Sequence, residues 1–381
     1  MIYNKVVKQC LIGLAGMLLI HPIMAGPSPE ATALIKKLGL QSTDQPLSSN
    51  PAWHPKRVVV SLPVRSSSAL PQLEQQLRTA AGDIELIIDR SEDLSLGREI
   101  LVGADAIISR CTPVTIKNAD KSLLWLHHYS AGIEGCVGLS EDQIEKTVFS
   151  NSKRLYGPTI AEHTIAMLLS LTNGLPTFGR AQAEGQWQRS LAGPNRLGNI
   201  DGKTMLVVGL GGIGTQIAWR AHGLGMRVIA TRYSSREGPD YVDYVGVSEE
   251  LPVLVGQADV IVNALPLTAT TKDLFDKKIF DSAKTGAIFL SVGRGKSTVT
   301  EDLIAALESG QLSAAGLDVT DPEPLPENSP LWQMSNVIIT PHISATGIGS
   351  LRNSFILVVE NLRRYVAGEA LLNVVDIRAG Y

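Results

Sequence analysis

The chain has 381 residues, which is enough for two domains and a large core. Its hydrophobic content of 44% is ordinary for a globular protein, and its net charge of −3 gives no electrostatic support for nucleic-acid binding. Three cysteines are too few for a disulfide scaffold, and no repeat or long run of like charge is visible.

The first 25 residues have the pattern of a secretory signal peptide. Two early lysines, the first at Lys5, precede the apolar run Cys10–Ile20, and the small residue Ala25 would precede the cut. The run is short for a membrane span, so we expect no stable span in the mature chain. The alternative is a cytoplasmic protein whose translation starts near Met24.

Removal of such a leader would take Cys10 with it and leave Cys111 and Cys136. In an oxidising compartment these two cysteines could pair. We favour free, semi-buried thiols, because nothing in the sequence brings the two residues together.

Residues 26–54 are rich in Pro, Ser and Gln, and predict a loosely ordered arm around one short helix. Residues 55–158 then alternate apolar runs with helical stretches such as Leu70–Ala81, as expected for a small parallel α/β domain. The predicted strands are Arg57–Leu62, Ile84–Ile88, Ala106–Ser109 and Leu124–His128. Ligands of parallel sheets bind at the carboxyl ends of strands, so Arg110 and the loop Ser130–Gly135 are candidate site residues.

Pro158 opens an apolar helix, Ile160–Leu171, which we expect to link the first domain to a second one covering 159–344. The later strands are predicted at Val260–Val262, Ala287–Leu290, Ala315–Asp318 and Val337–Thr340. A final helix, Gly349–Ala367, would return within 345–381 to cover the first domain. The expected fold is therefore two doubly wound parallel-sheet domains, Rossmann-like and flavodoxin-like, with a cleft between them.

The second domain begins with a strand, a glycine turn, a helix and a second strand ending at Thr231. In this order Gly209 would make the tight turn, Gly211 would let the backbone approach a pyrophosphate, and Gly214 would let the helix pack on the sheet. Gly212 and Ile213 would present free amides at the start of the helix. The pattern predicts a dinucleotide-binding site.

The end of the second strand indicates which dinucleotide is bound. An enzyme that prefers NAD usually has an acidic residue about twenty residues after the glycine turn. This chain has Arg232 there, followed by Ser234 and Arg236. Cations and hydroxyls suit a 2′-phosphate, so we predict NADP(H) in preference to NAD(H).

Three polar residues follow predicted strands of the second domain: Arg294, Glu323 and His342. Reduction of a 2-keto acid needs a cation for the carboxylate and a proton donor for the carbonyl oxygen. Arginine offers two parallel hydrogen bonds to a carboxylate, and a histidine beside a carboxylate suits acid–base work. We assign these roles to the three residues and predict no metal site.

On these segments, together with Val208–Gly214 and Ala258–Thr268, the chain resembles the D-isomer-specific 2-hydroxyacid dehydrogenases over about residues 57 to 375. The resemblance implies that His342 is the acid/base, Glu323 its partner and Arg294 the carboxylate anchor. Glyoxylate or hydroxypyruvate would be the substrate.

The resemblance also implies contacts with the substrate and with the cofactor. The amides of Ala131 and Gly132 would bind the substrate carboxylate, and Arg110 stands where 3-phosphoglycerate-type members keep a substrate arginine. Asp318 would meet the nicotinamide carboxamide. The cofactor would be lined by Leu265, Pro266, Val292 and Gly293. Family members usually pair through the nucleotide domain, so we expect a homodimer.

Two other functions remain open from the sequence. A 3-phosphoglycerate dehydrogenase would need a cluster of cations facing the cleft, of which Arg110 is one. A nucleotide-sensing, corepressor-like protein could keep the same polar residues without turnover. Glu323 disfavours the formate dehydrogenase branch, which has a glutamine at that place.

Overall fold

The apolar segments of the chain form two parallel sheets. The structure, a computed structural model, describes residues 26–62, 70–90, 96–133, 135–136, 138–192, 198–233 and 235–378. The predicted leader, Ser234 and Glu134 lie outside these residues. In the described part no helix is long and apolar enough to cross a bilayer.

The first sheet has five strands in the order β2-β1-β3-β4-β5, which is the flavodoxin-like order. Its strands are β1 (Arg57–Ser61), β2 (Glu85–Asp89), β3 (Ala106–Ser109), β4 (Trp125–His128) and β5 (Val148–Asn151). All neighbouring strands are parallel. We did not predict β5 from the sequence, because it is short and only its first two residues are apolar.

The helices up to this point are short. They are α1 (Pro29–Leu38), α2 (Leu70–Ala81), α3 (Arg98–Leu101), α4 (Pro113–Asn118) and α5 (Glu141–Lys146). Side-chain caps fix three of their starts: Ser28 for α1, Thr112 for α4 and Ser140 for α5.

The second sheet has seven strands in the order β12-β11-β10-β9-β6-β7-β8. They are β6 (Thr204–Val208), β7 (Arg227–Thr231), β8 (Tyr244–Gly246), β9 (Val260–Asn263), β10 (Ala287–Ser291), β11 (Leu312–Leu317) and β12 (Val337–Ile339). The strand order reverses between β6 and β9, and the crevice beside such a reversal is where doubly wound sheets bind nucleotides. We did not predict the edge strand β8.

The remaining helices follow the strands of this sheet or connect the two sheets. They are α6 (Gly157–Thr172), α7 (Leu175–Ala183), α8 (Gly212–Gly223), α9 (Leu251–Val255), α10 (Lys277–Ser282), α11 (Thr300–Glu308) and α12 (Ile348–Ala367). Two parallel α/β sheets with helices between their strands confirm the predicted fold class.

The chain passes between the sheets through α6 and α12. Helix α6 shares the core of the second sheet, where Ile160 and Leu168 pack with Met205 and Val207. Helix α12 packs instead in the core of the first sheet through residues such as Leu362. Of the two helices at the crossings, α6 is therefore attached to the second sheet and α12 to the first.

Residues 26–54 are more ordered than the sequence suggested. Leu34 and Leu38 of α1 are buried in a cluster with Leu357 of α12. The indole N–H of Trp53 donates to the carbonyl of Tyr365, also in α12, at 2.9 Å. The arm is packed because several of its few apolar residues share clusters with α12.

Candidate active site

The residues predicted to do chemistry follow neighbouring strands of the second sheet. Arg294 comes three residues after β10, Glu323 lies in the segment after β11, and His342 lies just after β12. These strands are adjacent and in parallel register, with Ser291 opposite Leu317 and Leu317 opposite Ile339. The three segments therefore emerge at one edge of the sheet, the edge at which β6 ends in the glycine turn.

His342 and Glu323 form a hydrogen-bonded pair. The imidazole Nδ1 lies 2.7 Å from Glu323 Oε1, and the two side chains are 44% and 43% exposed. Because a carboxylate only accepts, Nδ1 carries a proton in this bond. The pairing leaves Nε2 available to a ligand, as an acid/base requires.

Buried Asp318 holds the main chain at His342 and at the two residues that follow it. Asp318 accepts the amide of Ile343 at 3.0 Å and that of Ser344 at 3.0 Å, and its own carbonyl accepts the amide of His342 at 2.9 Å. Burial raises the pKa of the Asp318 carboxyl, but its hydrogen bonds with Ser344, Thr340 and Ile343 outweigh burial and keep the pKa below its usual value. His342 has a left-handed φ of 52°, a strained backbone that this anchoring maintains.

Two residues that we did not predict extend this anchor to the linking helix. Thr340 Oγ1 donates to Asp318 Oδ1 at 2.6 Å, and His163 Nε2 of α6 lies 2.9 Å from the same hydroxyl. Because Thr340 gives its only proton to Asp318, its oxygen accepts from His163, so Nε2 of His163 carries hydrogen. Thr340 could have been found from the sequence, because it directly precedes Pro341 and His342. Its partner on α6, His163, could not, because that contact depends on tertiary packing.

Arg294 lies in a tightly packed turn. Its side chain is half-buried and donates to the carbonyl of Gly293 at 2.8 Å. The Arg294 carbonyl accepts from Ser297, and Thr300 Oγ1 bonds the carbonyl of Asp321 at 2.5 Å. These bonds dock the Arg294 turn against the segment that carries Glu323.

The glycine turn has the geometry of a phosphate-binding turn. Gly209 has a φ of 100°, which glycine adopts without strain. A Cβ on Gly214 would lie 2.9 Å from Val207 Cγ1, so only glycine lets α8 approach the sheet this closely. A Cβ on Gly211 would meet nothing within 4 Å, so the space in front of α8 is open to a ligand. The amides of Gly212 and Ile213, in the first turn of α8, lack helical acceptors and suit a pyrophosphate.

The predicted cofactor-lining residues border the same turn. A Cβ on Gly209 would lie 3.1 Å from Leu265 Cδ2, and a Cβ on Gly293 would lie 2.6 Å from the Leu265 carbonyl oxygen. Val292 is buried, while Pro266 is exposed. The buried amide of Asn263, which we did not predict, ties the segments after β9 and β10 together by donating to Ser291 at 3.1 Å and to Ser297 at 2.7 Å.

The two arginines predicted to select NADP differ in their surroundings. Arg232 follows β7 and donates from Nη1 to the carbonyl of Glu237 at 3.0 Å. Arg236 pairs with Glu250 at 2.7 Å and also donates to Tyr244 OH, and these contacts raise its pKa. Arg232 is therefore the better placed of the two for a phosphate, because Arg236 already has a carboxylate partner.

The residues predicted to bind substrate from the first sheet follow β3 and β4. Ala131 and Gly132 come just after β4, and the Ala131 carbonyl accepts from Asn151 Nδ2 at the end of β5 at 2.5 Å. Asn151, buried and not predicted, thus fixes the backbone of this loop. The exposed Arg110 follows β3, where its carbonyl accepts from Thr115 Oγ1 at 3.2 Å.

Our expectation of free cysteines is wrong, because Cys111 and Cys136 form a disulfide with Cα atoms 5.0 Å apart. Cys111 follows β3, and Cys136 lies in the loop after the neighbouring strand β4. Both side chains are buried in one cluster. Parallel pairing of β3 and β4 brings together two residues that the sequence separates by 25 positions.

Among the residues that the structure describes, no group of His, Cys, Asp and Glu side chains is arranged to hold a metal ion.

Comparisons with known proteins agree with this geometry. Residues 165–344 match the family model of the NAD binding domain of D-isomer specific 2-hydroxyacid dehydrogenases. A glyoxylate/hydroxypyruvate reductase B from Enterobacter sp. (strain 638) is 36% identical over 222 residues, which are 57% of this chain and 67% of that protein.

Solved structures extend the likeness to most of the chain. A D-isomer specific 2-hydroxyacid dehydrogenase family protein from Aeromonas salmonicida has a TM-score of 0.70 and 30% identity, covering 85% of this chain and 99% of that one. An NADPH-dependent glyoxylate/hydroxypyruvate reductase from Sinorhizobium meliloti, in complex with NADP and sulfate, has a TM-score of 0.67 and 25% identity, covering 86% and 100%. The chain belongs to the D-isomer specific 2-hydroxyacid dehydrogenases, which are oxidoreductases that act on a CH–OH group.

Proposed function

We propose that this protein reduces a small 2-keto acid, glyoxylate or hydroxypyruvate, to the D-2-hydroxy acid with NADPH. The observation that carries the proposal is the His342–Glu323 pair, set at the sheet edge where β6 ends in the glycine turn. The names of the Enterobacter and Sinorhizobium relatives support the choice of substrate.

In the reductive direction a nicotinamide, when bound, would supply the hydride that C2 of the keto acid accepts. The Arg294 guanidinium and the amides of Ala131 and Gly132 would hold the carboxylate from opposite sides. Nε2 of His342 would donate the proton to the carbonyl oxygen, while Glu323 orients the ring and offsets its positive charge. The arrangement uses both sheets, so the substrate would lie between them.

The residues at the glycine turn fit a dinucleotide. The open space at Gly211 and the free amides at the start of α8 suit the pyrophosphate. Arg232 follows β7, where an NAD enzyme usually has a carboxylate, and this favours NADPH over NADH. A family member from Xanthobacter autotrophicus, 28% identical, is described in complex with NADPH and supports the choice. The Asp318 carboxylate already accepts hydrogen bonds from Thr340, Ile343 and Ser344. A contact with the nicotinamide carboxamide would have to use a lone pair that these three bonds leave.

The test follows NADPH absorbance with glyoxylate, hydroxypyruvate, pyruvate and longer keto acids. We expect turnover of the first two, and His342→Ala should lower kcat by about a hundredfold or more while NADPH still binds. Glu323→Gln should give a smaller loss, because it keeps a hydrogen-bond acceptor for Nδ1. A wild-type protein that binds NADPH but oxidises none of it would instead be a nucleotide sensor. Full activity in the His342 variant would show that His342 is not the proton donor.

We also propose that the protein is exported. The Cys111–Cys136 disulfide supports this, since such bonds persist in oxidising compartments. Fractionation and the mass of the mature chain test it: we expect a periplasmic or secreted protein beginning at Gly26, and a cytoplasmic protein beginning at Met1 or Met24 would contradict it.

We propose, finally, that the protein is a homodimer. Trp187 is 94% exposed after α7, and Trp219 of α8 is 56% exposed. Large exposed aromatic residues are typical of interfaces. Light scattering of the purified chain should give twice the monomer mass, and a monomer at micromolar concentration would contradict the proposal.

A further inference from the structure

Arg154 lies over the first residue of α8 although it belongs to a distant segment. It sits between β5 and α6, with a left-handed φ of 71°. A Cβ placed on Gly212 would lie 2.8 Å from Arg154 Cγ and 3.2 Å from its Cα. The Arg154 stem therefore occupies the space that a side chain on residue 212 would need, and it brings an arginine to the start of α8 from the segment between β5 and α6.

Within the described part of the chain, the guanidinium of Arg154 makes no ion pair and no side-chain hydrogen bond, and the side chain is half-buried. Nη1 would lie 3.4 Å from a Cβ on Gly39, the residue that ends α1, so the arm borders the guanidinium on one side.

Two other cations lie near Arg154. Burial and then the positive charge of Arg232 lower the pKa of Arg154. Burial and then the charge of Arg154 lower the pKa of Lys153, whose Nζ donates to the carbonyl of Val374 at 2.8 Å. Arg154 thus lies within electrostatic reach of two other cations, and in the part of the chain that is described neither Arg154 nor Arg232 has a carboxylate within ion-pair distance. Such a cluster is unfavourable by itself and attracts an anion.

We propose that Arg154 binds the pyrophosphate of the dinucleotide, as a second cation beside Arg232. The proposal rests on dinucleotide binding in the proposed function and adds a residue that lies outside the matched nucleotide-binding segment. The pyrophosphate is favoured over the 2′-phosphate because the Arg154 stem lies against Gly212, whose amide would face a pyrophosphate. Arg232 instead follows β7, where the ribose would lie. Arginine suits this task because its planar fork binds phosphate oxygens in pairs.

The test measures binding without any keto acid. Calorimetry on the purified full chain gives Kd for ADP, NADH and NADPH, of which only NADPH carries the 2′-phosphate. Arg154→Ala should raise all three Kd values by a similar factor, about tenfold to a hundredfold, as expected for a lost charged hydrogen bond. Arg154→Lys should lie between the wild type and Arg154→Ala. The matched control is Arg227→Ala, at the opposite end of β7, which should change none of them.

Two results would overturn the inference. One is a Kd for ADP in folded Arg154→Ala within twofold of the wild type. The other is a loss confined to NADPH, which would move the contact to the 2′-phosphate. Circular dichroism checks the fold of the alanine variant, and the lysine variant keeps the test valid if alanine unfolds. Failure of the proposed reductase activity would leave these binding constants unaffected, so the two ideas can fail separately.

Discussion

At the scale of single residues, the site depends on side chains that control backbone. His342 keeps a left-handed φ because the Asp318 carboxylate binds the two amides that follow it. Asn151 likewise fixes the Ala131 carbonyl. The residues proposed to touch the substrate are therefore held by residues that need not touch it, and substitutions of the latter should affect catalysis indirectly.

Arg232 decides the proposed cofactor preference. Arg232→Asp places a carboxylate where a 2′-phosphate would lie and offers an acceptor to ribose hydroxyls. We expect the ratio of kcat/KM with NADPH to kcat/KM with NADH to fall by about a hundredfold, the effect of exchanging attraction for repulsion. Arg227→Ala serves as the control. An unchanged ratio would refute the NADPH preference.

His127 predicts how stability depends on pH. It is fully buried on β4, with Nδ1 2.9 Å from Ser150 Oγ, and burial and then the charge of His128 lower its pKa to about 3. An unfolded histidine takes up a proton near pH 6.5. Between these values the unfolded chain binds the extra proton, so this contribution to stability is complete above about pH 6.5 and declines as pH falls towards 3.

The measurement is urea unfolding of the wild type and His127→Gln at about pH 7 and about pH 5. From the two pKa values the wild type should lose about 1–2 kcal/mol more than the variant over this interval. The comparison concerns slopes, so a less stable variant remains informative. Parallel pH profiles would show that His127 is not the responsible group.

At the scale of elements, the end of β12 is joined to the linking helix α6. The chain of hydrogen bonds runs from His163 through Thr340 to Asp318. The helix that passes between the sheets thus belongs, through a polar contact as well as through its apolar face, to the sheet that carries His342.

Thr340→Val keeps the shape of the side chain and removes this junction. We expect kcat to fall about tenfold, or 1.4 kcal/mol, because the His342 segment loses a fixed position, with the KM for NADPH unchanged. Thr340→Ser, which retains the hydroxyl, should restore most of the activity. A serine variant as slow as the valine variant would point to packing instead.

The elements differ in how far the sequence predicts them. Valine-rich runs such as Arg57–Ser61 and the Gly209–Gly214 turn are specified locally, by side-chain period and by φ, and their prediction was confirmed. Short edge strands such as β8 carry too few residues for a periodic signal. The disulfide, His163 and Arg154 depend on which distant segments become neighbours, and nothing in their local sequence encodes that.

At the scale of the whole molecule, the N-terminal arm and α12 behave as one layer over the first sheet. Leu38 of the arm is only 7% exposed, because it packs against α12. Tyr365 OH of α12 donates to Asp105 Oδ1 at 2.7 Å, while Asp105 Oδ2 accepts the amide of Arg57 at the start of β1. The two ends of the described chain are thereby attached to the same sheet.

Leu38→Ala tests the contribution of the arm. Removing a buried leucine side chain should lower the free energy of unfolding by about 2–4 kcal/mol. The exposed neighbour Lys37→Ala should cost less than about 0.5 kcal/mol. Chemical denaturation measures both. The kcat should stay within twofold, because α1 packs on α12 whereas the acid/base pair follows strands of the second sheet. A Leu38 variant as stable as the wild type would show that the arm is dispensable for stability.

The division of the proposed site between two sheets has an evolutionary consequence. On the roles proposed above, the loop of Ala131 and Gly132 belongs to one sheet, whereas His342, Glu323 and Arg294 belong to the other. Mutations near the first sheet can then change which keto acid fits the site, while the residues that deliver the proton from the second sheet stay the same. A lineage built this way can diversify its substrates by drift in one half of the gene and keep a single inherited chemistry in the other.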